Sequence, residues 1–89
     1  MVRRELISQR DYLTDKLTEI ALELKRLVSE GDRLKVELDL LHESETERGH
    51  TIRRRRVYIG RRSEELRAER HKAIADRDEF IKQLWADTA

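Results

Sequence analysis

Seven arginines, Arg48, Arg53, Arg54, Arg55, Arg56, Arg61 and Arg62, fall between residues 48 and 62 with no acid among them. A guanidinium offers forked donors that match phosphate and carboxylate oxygens, and Tyr58, inside the run, could stack on a base. One use of the cluster is therefore contact with a nucleic acid or an acidic protein. The other is a solvated face that bridges to acids elsewhere in the chain. Four consecutive arginines point around most of a helix, so no single partner can use all of them. The net charge of +1 lies far from the strongly basic balance of dedicated nucleic-acid binders and favours the second use. Charge is unevenly placed: residues 1–47 carry 8 Lys/Arg and 12 Asp/Glu, and residues 48–89 carry 12 and 7. Opposite halves of the chain can attract.

The remaining side chains offer little chemistry. His42-Glu43 begins like the zinc-protease pattern His-Glu-x-x-His, but position 46 is Thr, so the second ligand is missing. His50 and His71 have no neighbours at metal-ligand spacing. No glycine-rich phosphate loop and no Ser/His/Asp grouping is present. The carboxylates are spread along polar segments, whereas general acid–base catalysis needs a shifted pKa in a sheltered cleft. No enzyme activity, metal, cofactor or small-molecule substrate is expected. Phe80 and Trp85 are the only large aromatics close together. They could close one end of a helical assembly or anchor a partner, since aromatics are enriched at interaction hot spots; end closure is the stronger expectation.

What must position these residues is a helical seam. Leu6, Leu13, Ile20, Leu27, Leu34 and Leu41 recur every seventh residue, with Leu17, Leu24, Gly31 and Leu38 as a second series. Two apolar series at alternating spacings of three and four form the stripe of a coiled coil. Charged residues are 44% of the chain, aromatics 4%, and proline is absent. Such a chain can bury a stripe between helices but cannot enclose a globular core. Gly31 leaves a hole in the seam that could admit a bulky side chain. Leu22, Val36 and Leu40 lie off the seam, and Val36 and Leu40 share a face that could meet a third helix.

The expected organisation is a first helix over 3–42, a polar turn or helix continuation over 43–50, and a second, arginine-rich helix over 51–86. Gly49 could end a helix and Thr51 could cap the next. Against a turn, the seam phase survives the gap, because Leu38 and Ile52 are two heptads apart, and this favours an unbroken helix somewhat. The second segment repeats more weakly, through Ile52, Ile59, Leu66, Ala73 and Phe80, with Leu84 completing it. Its complementary positions are Arg56, Ser63, Arg70 and Arg77, so a parallel copy would set arginine against arginine. Antiparallel pairing instead sets Leu41 against Ile52, Leu34 against Ile59, Leu27 against Leu66, Ile20 against Ala73 and Leu13 against Phe80. The flanking pairs in that register are Glu37–Arg55, Glu30–Arg62, Glu23–Glu69 and Lys16–Asp76. The expected fold is all-α: an antiparallel coiled coil, either a two-helix hairpin or a long helix pairing antiparallel with a second copy.

Residues 66–84 resemble a stretch of the coiled-coil arm of the SMC-like DNA double-strand-break-repair ATPases, through Ala68, Arg70, His71, Arg77, Asp78, Ile81 and Leu84. The resemblance would imply an arm segment of a larger ATPase. The Cys-x-x-Cys hook and the ATPase motifs of that family are absent here. The function expected from the seam is a structural or adaptor module for protein–protein association. A nucleic-acid-associated helical protein using Arg48–Arg62 is the alternative. Partners would be another helix, in cis or from a second copy, in a homo-oligomer or hetero-assembly, with no membrane involved. The chain starts without the apolar run of a secretory signal and has no transmembrane-length stretch, so an intracellular, soluble protein of unknown compartment is expected.

Overall fold

The computed structural model describes residues 2–88, with the side chains of 87 and 88 left aside. Two helices, α1 (Arg3–Leu40) and α2 (Thr46–Thr88), fold back on each other as an antiparallel hairpin measuring 68 × 15 × 15 Å. Leu, Glu, Lys and Arg dominate both segments and favour helix, and no proline interrupts them. Helix α1 begins without a side-chain cap, its first turn held by Glu5 and Leu6 amides donating to the Val2 carbonyl.

The chain reverses at residues 41–45, so the hairpin, not the unbroken helix, is the fold. Leu41 leaves the helix with extended backbone (φ −66, ψ 139). The Glu45 amide then donates to the His42 carbonyl at 2.9 Å, and the Ser44 amide donates to His42 Nδ1 at 3.3 Å. The Glu45 side chain accepts from the His42 amide at 3.4 Å. Polar side chains thus satisfy backbone groups that a helix would otherwise pair. The connection has the few-residue length usual for antiparallel neighbours. It is shorter than the stretch expected over 43–50. Gly49 and Thr51 consequently lie inside α2, and the Thr51 hydroxyl bonds back to the Glu47 carbonyl rather than capping a helix.

The seam repeats every seven residues on both helices. Labelling heptad positions a to g, Leu6, Leu13, Ile20, Leu27, Leu34 and Leu41 fall at d in α1 and its C-cap, and Leu17, Leu24, Gly31 and Leu38 at a. In α2 the d positions are Ile52, Ile59, Leu66, Ala73 and Phe80; the a positions are Gly49, Arg56, Ser63, Arg70, Arg77 and Leu84. Leu6, Ile52 and Leu66 are the largest fully buried side chains. Leu13, Ile20, Leu24, Leu27, Ile59, Ala73 and Leu84 are also buried, whereas Leu17, Leu34, Leu38, Leu41 and Phe80 are half-buried.

The register differs from the one expected. Ile59 reaches the space over Gly31, and Leu41 lies over Gly49. An a position of one helix therefore opposes a d position of the other, where the sequence pairing had set d against d. The shift is one seam step. It lets the hole at Gly31 receive Ile59 and the buried Gly49 receive Leu41, so bulky and small residues interdigitate.

A methyl group added at Gly31 would meet Ile59 at an ordinary 3.8 Å, and one at Gly60 would meet nothing. Gly31→Ala and Gly60→Ala should each stabilise the hairpin by about 0.5–1 kcal/mol, the usual helical cost of glycine. Thermal melts of each variant check this; a lowered melting temperature at Gly31 would contradict the register. Leu66→Ala, at 1% exposure, should instead cost about 2–5 kcal/mol in denaturant titrations.

Candidate functional site

Around a helix the positions run e, a, d, g, so the hairpin has two edges, one bounded by d and g and the other by a and e. They differ in chemistry. On the g edge, acids of α1 meet arginines of α2. Arg48 Nε donates to Glu37 Oε1 at 2.7 Å, and Arg55 holds both carboxylate oxygens of Glu30 at 2.6 and 2.8 Å. Arg62 holds Glu23 at 3.0 and 3.4 Å. The forked geometry is the strong form of the interaction.

These pairs correct the expected ones: each acid takes the arginine one heptad nearer the turn. The cause is the register, because once a opposes d, each g residue lies nearest the g residue of that earlier heptad. The expected repulsion between Glu23 and Glu69 is thereby avoided. Arg62 stands between them, with Glu65 at 3.3 Å and Glu69 at 3.8 Å as further partners. Hydrogen bonds from Arg55 and Arg48 lower the pKa values of Glu30 and Glu37 below the ordinary 4.5. The bond to Glu23 is the main cause of a raised pKa at Arg62.

The ladder divides the arginine cluster. Arg48, Arg55 and Arg62 are engaged in it. Arg53, Arg54, Arg56 and Arg61 are exposed and make no ion pair among the described residues. Tyr58 carries the Arg55 guanidinium 4.6 Å over its ring, so one face of the ring is covered. Arg53, Arg54, Val57, Tyr58 and Arg61 line a shallow hollow on the outer side of α2.

The opposite edge is built otherwise. Its e positions include Ile7, Ala21 and Val28 on α1 and Gly60, Ile74 and Ile81 on α2. Val28 is 50% exposed and Ile74 38%. Near the open end, Arg3, Ile7, Arg10, Ile81, Leu84 and Trp85 surround a hollow of about 260 Å³. Trp85 is 73% exposed, while Leu84 is buried at the same end as Leu6. End closure thus falls to Leu84 with half-buried Phe80, and the indole lies largely outside. Val36 and Leu40 stand exposed on the outer face of α1.

The sequence shows the apolar stripe of the second segment widening to Ile74, Ile81, Leu84 and Trp85, but not the edge these make with Ile7 and Val28, because on α1 the members are scattered single aliphatics, each unremarkable alone. The signal was present in the recurrence of Ile74 and Ile81 at seven residues, beside the Ile7 and Val28 phase. Among the described residues no group of His, Asp or Glu could hold a metal ion, and no helix is long and apolar enough to cross a membrane. No family model, curated protein or solved structure matches the chain. The likeness of residues 66–84 to the arm of SMC-like ATPases therefore rests on those residues alone.

The lowered carboxylate pKa values give a pH dependence. A depressed folded pKa contributes stability that is present above the unfolded value and lost as pH falls through the folded one. The melting temperature should accordingly fall as pH drops below about 4.5, and Glu30→Gln/Glu37→Gln should flatten that fall. Melts across pH on both proteins check it; equal slopes would remove the ladder as a source of stability.

Proposed function

We propose that this hairpin is an intracellular structural adaptor, a coiled-coil module whose work is protein–protein association. The observation that supports the reading is the inequality of its edges. One edge is closed by Glu37–Arg48, Glu30–Arg55 and Glu23–Arg62. The other leaves Val28 and Ile74 in water beside a seam that a further helix could extend. A hairpin built only to be a spacer has no need of an open apolar edge. Aliphatic side chains recurring at heptad spacing on such an edge form a surface of the kind that helices pack against.

A second reading is favoured by one observation: Arg53, Arg54 and Arg61, free of the ladder, stand together with Tyr58 on the outer face of α2. That group could track a phosphate backbone. The adaptor reading is preferred because three guanidiniums of the cluster, those of Arg48, Arg55 and Arg62, are already committed to carboxylates, and the aliphatic edge has no use in holding phosphates.

Two measurements separate the readings. Photo-crosslinking side chains placed at Leu22, Val28 and Tyr58 of the full chain in cells should give discrete protein adducts from at least one site; adducts to nucleic acid alone would overturn the adaptor reading. In vitro, oligonucleotide binding should be weak near ~150 mM salt, since phosphate contacts lose affinity steeply as salt rises. Arg53→Gln/Arg54→Gln/Arg61→Gln should leave the melting temperature unchanged, whereas Arg62→Gln should lower it.

A further inference from the structure

The a/e edge has a charge pattern as definite as its apolar one. Neither helix places an Asp or Glu at any a or e position. On α1 those positions carry Arg3, Arg10 and Lys35; on α2 they carry Arg53, Arg56, Arg67, Arg70 and Arg77. Of these only Arg10 makes an ion pair among the described residues, to its neighbour Asp11 at 3.2 Å. Among the described residues Arg77 Nε is buried without a hydrogen-bond acceptor, a state that costs free energy until an acceptor arrives. Acids occur only one position further round, as at Asp32 and Glu64. The groove therefore alternates aliphatic side chains with unanswered cations. Around Gly31, Gly60 and Ser63, small residues also leave a hollow of about 270 Å³, bordered by Val28, Lys35 and Arg56 and, on its outer rim, by the single acid Asp32.

We propose that this groove receives a third helix from a partner protein, an amphipathic helix whose apolar stripe is flanked by Asp and Glu. The inference rests on the adaptor reading and names the partner's chemistry. The aliphatic positions Ile7, Val28, Ile74 and Ile81 supply the contact for the stripe. The flanking cations supply carboxylate pairs, with Arg77 among them. The Gly31–Gly60–Ser63 hollow accepts one bulky side chain of the incoming helix. A second copy of this chain is the wrong occupant: apposed through this edge, two hairpins would set cation against cation along the whole groove, which is strongly unfavourable. A phosphate backbone would satisfy the cations but leave the aliphatic side chains without partners.

The test uses the full chain with two synthetic amphipathic helical peptides that share one leucine stripe. One carries Glu at the positions flanking the stripe, the other Lys. Trp85 fluorescence reports binding and sedimentation reports stoichiometry. The Glu-flanked peptide should bind one to one, at least about tenfold tighter than the Lys-flanked peptide, and more weakly as salt rises. Val28→Glu and Ile74→Glu, at exposed sites that leave the seam intact, should each weaken binding about tenfold or more. Leu22→Glu and Val36→Glu on the outer face should not. Circular dichroism verifies that each variant remains helical.

Equal affinity for the two peptides, no binding of either, or binding indifferent to Val28→Glu and Ile74→Glu would each overturn the proposal. So would a dimer of the chain alone that Val28→Glu dissolves, or displacement of the peptide by a DNA oligonucleotide that Val28→Glu leaves unaffected. Failure here is distinct from failure of the adaptor reading. Protein adducts in cells from Leu22 or Tyr58 but not from Val28 would keep an adaptor and remove this groove.

Discussion

The contact of d-position side chains along a single line holds this molecule together. A rod 15 Å across has no interior beyond the strip where its two helices touch. Every d position from Leu6 to Phe80 is apolar, and most are buried. The a positions are not uniform: Leu24, Ser63 and Leu84 are buried, but Arg56 and Arg70 remain exposed. The seam is consequently dry on its d side and interrupted on its a side. Both edges inherit their character from that difference.

On the d side, the neighbouring g positions lie against a continuous apolar strip. Acids from one half of the chain face arginines from the other, and two of the three resulting pairs, Glu30–Arg55 and Glu23–Arg62, are forked. Exposed pairs of this kind are individually weak, so their role is selection. The register expected from the sequence would set Glu23 against Glu69, and α2 packed on a parallel copy of itself would set arginine against arginine. The ladder and the Gly31–Ile59 fit favour the same register, and such agreement between independent terms narrows the choice to one state.

On the a side, Arg56 and Arg70 turn outward and Arg77 is half-buried, and the e positions beside them are left without a facing wall. The consequence is a groove both apolar and positive, bounded at one end by Trp85 and at the other by the turn. A groove of this composition suits a partner helix with acidic flanks. It suits a second hairpin poorly, because like charges would meet. The outer face of α2, with Arg54 and Arg61 around Tyr58 and Arg53 on its border with the groove, is a second surface whose arginines neither pack the seam nor join the ladder.

The seven-residue recurrence determined by itself that the chain is helical and which residues face the seam, and Arg56, Arg70 and Arg77 favoured antiparallel over parallel pairing. These are local properties: periodicity places side chains on a face, and charge placement decides which orientation repels. Three matters were beyond its reach. The reversal at residues 41–45 was obscured because Ile52 keeps phase with Leu38; only the series running from Leu6 to Leu41 changes step, from the phase that would include Arg55 to the one containing Arg56. The register was misplaced by one seam step because a one-dimensional pattern matches d with d as readily as a with d. Only packing distinguishes them, through Ile59 filling the space over Gly31. From that shift follow the ladder partners, the division of the arginine cluster and the open edge. Each depends on which side chains oppose one another across two helices, and that is decided by tertiary contact rather than by spacing along one chain.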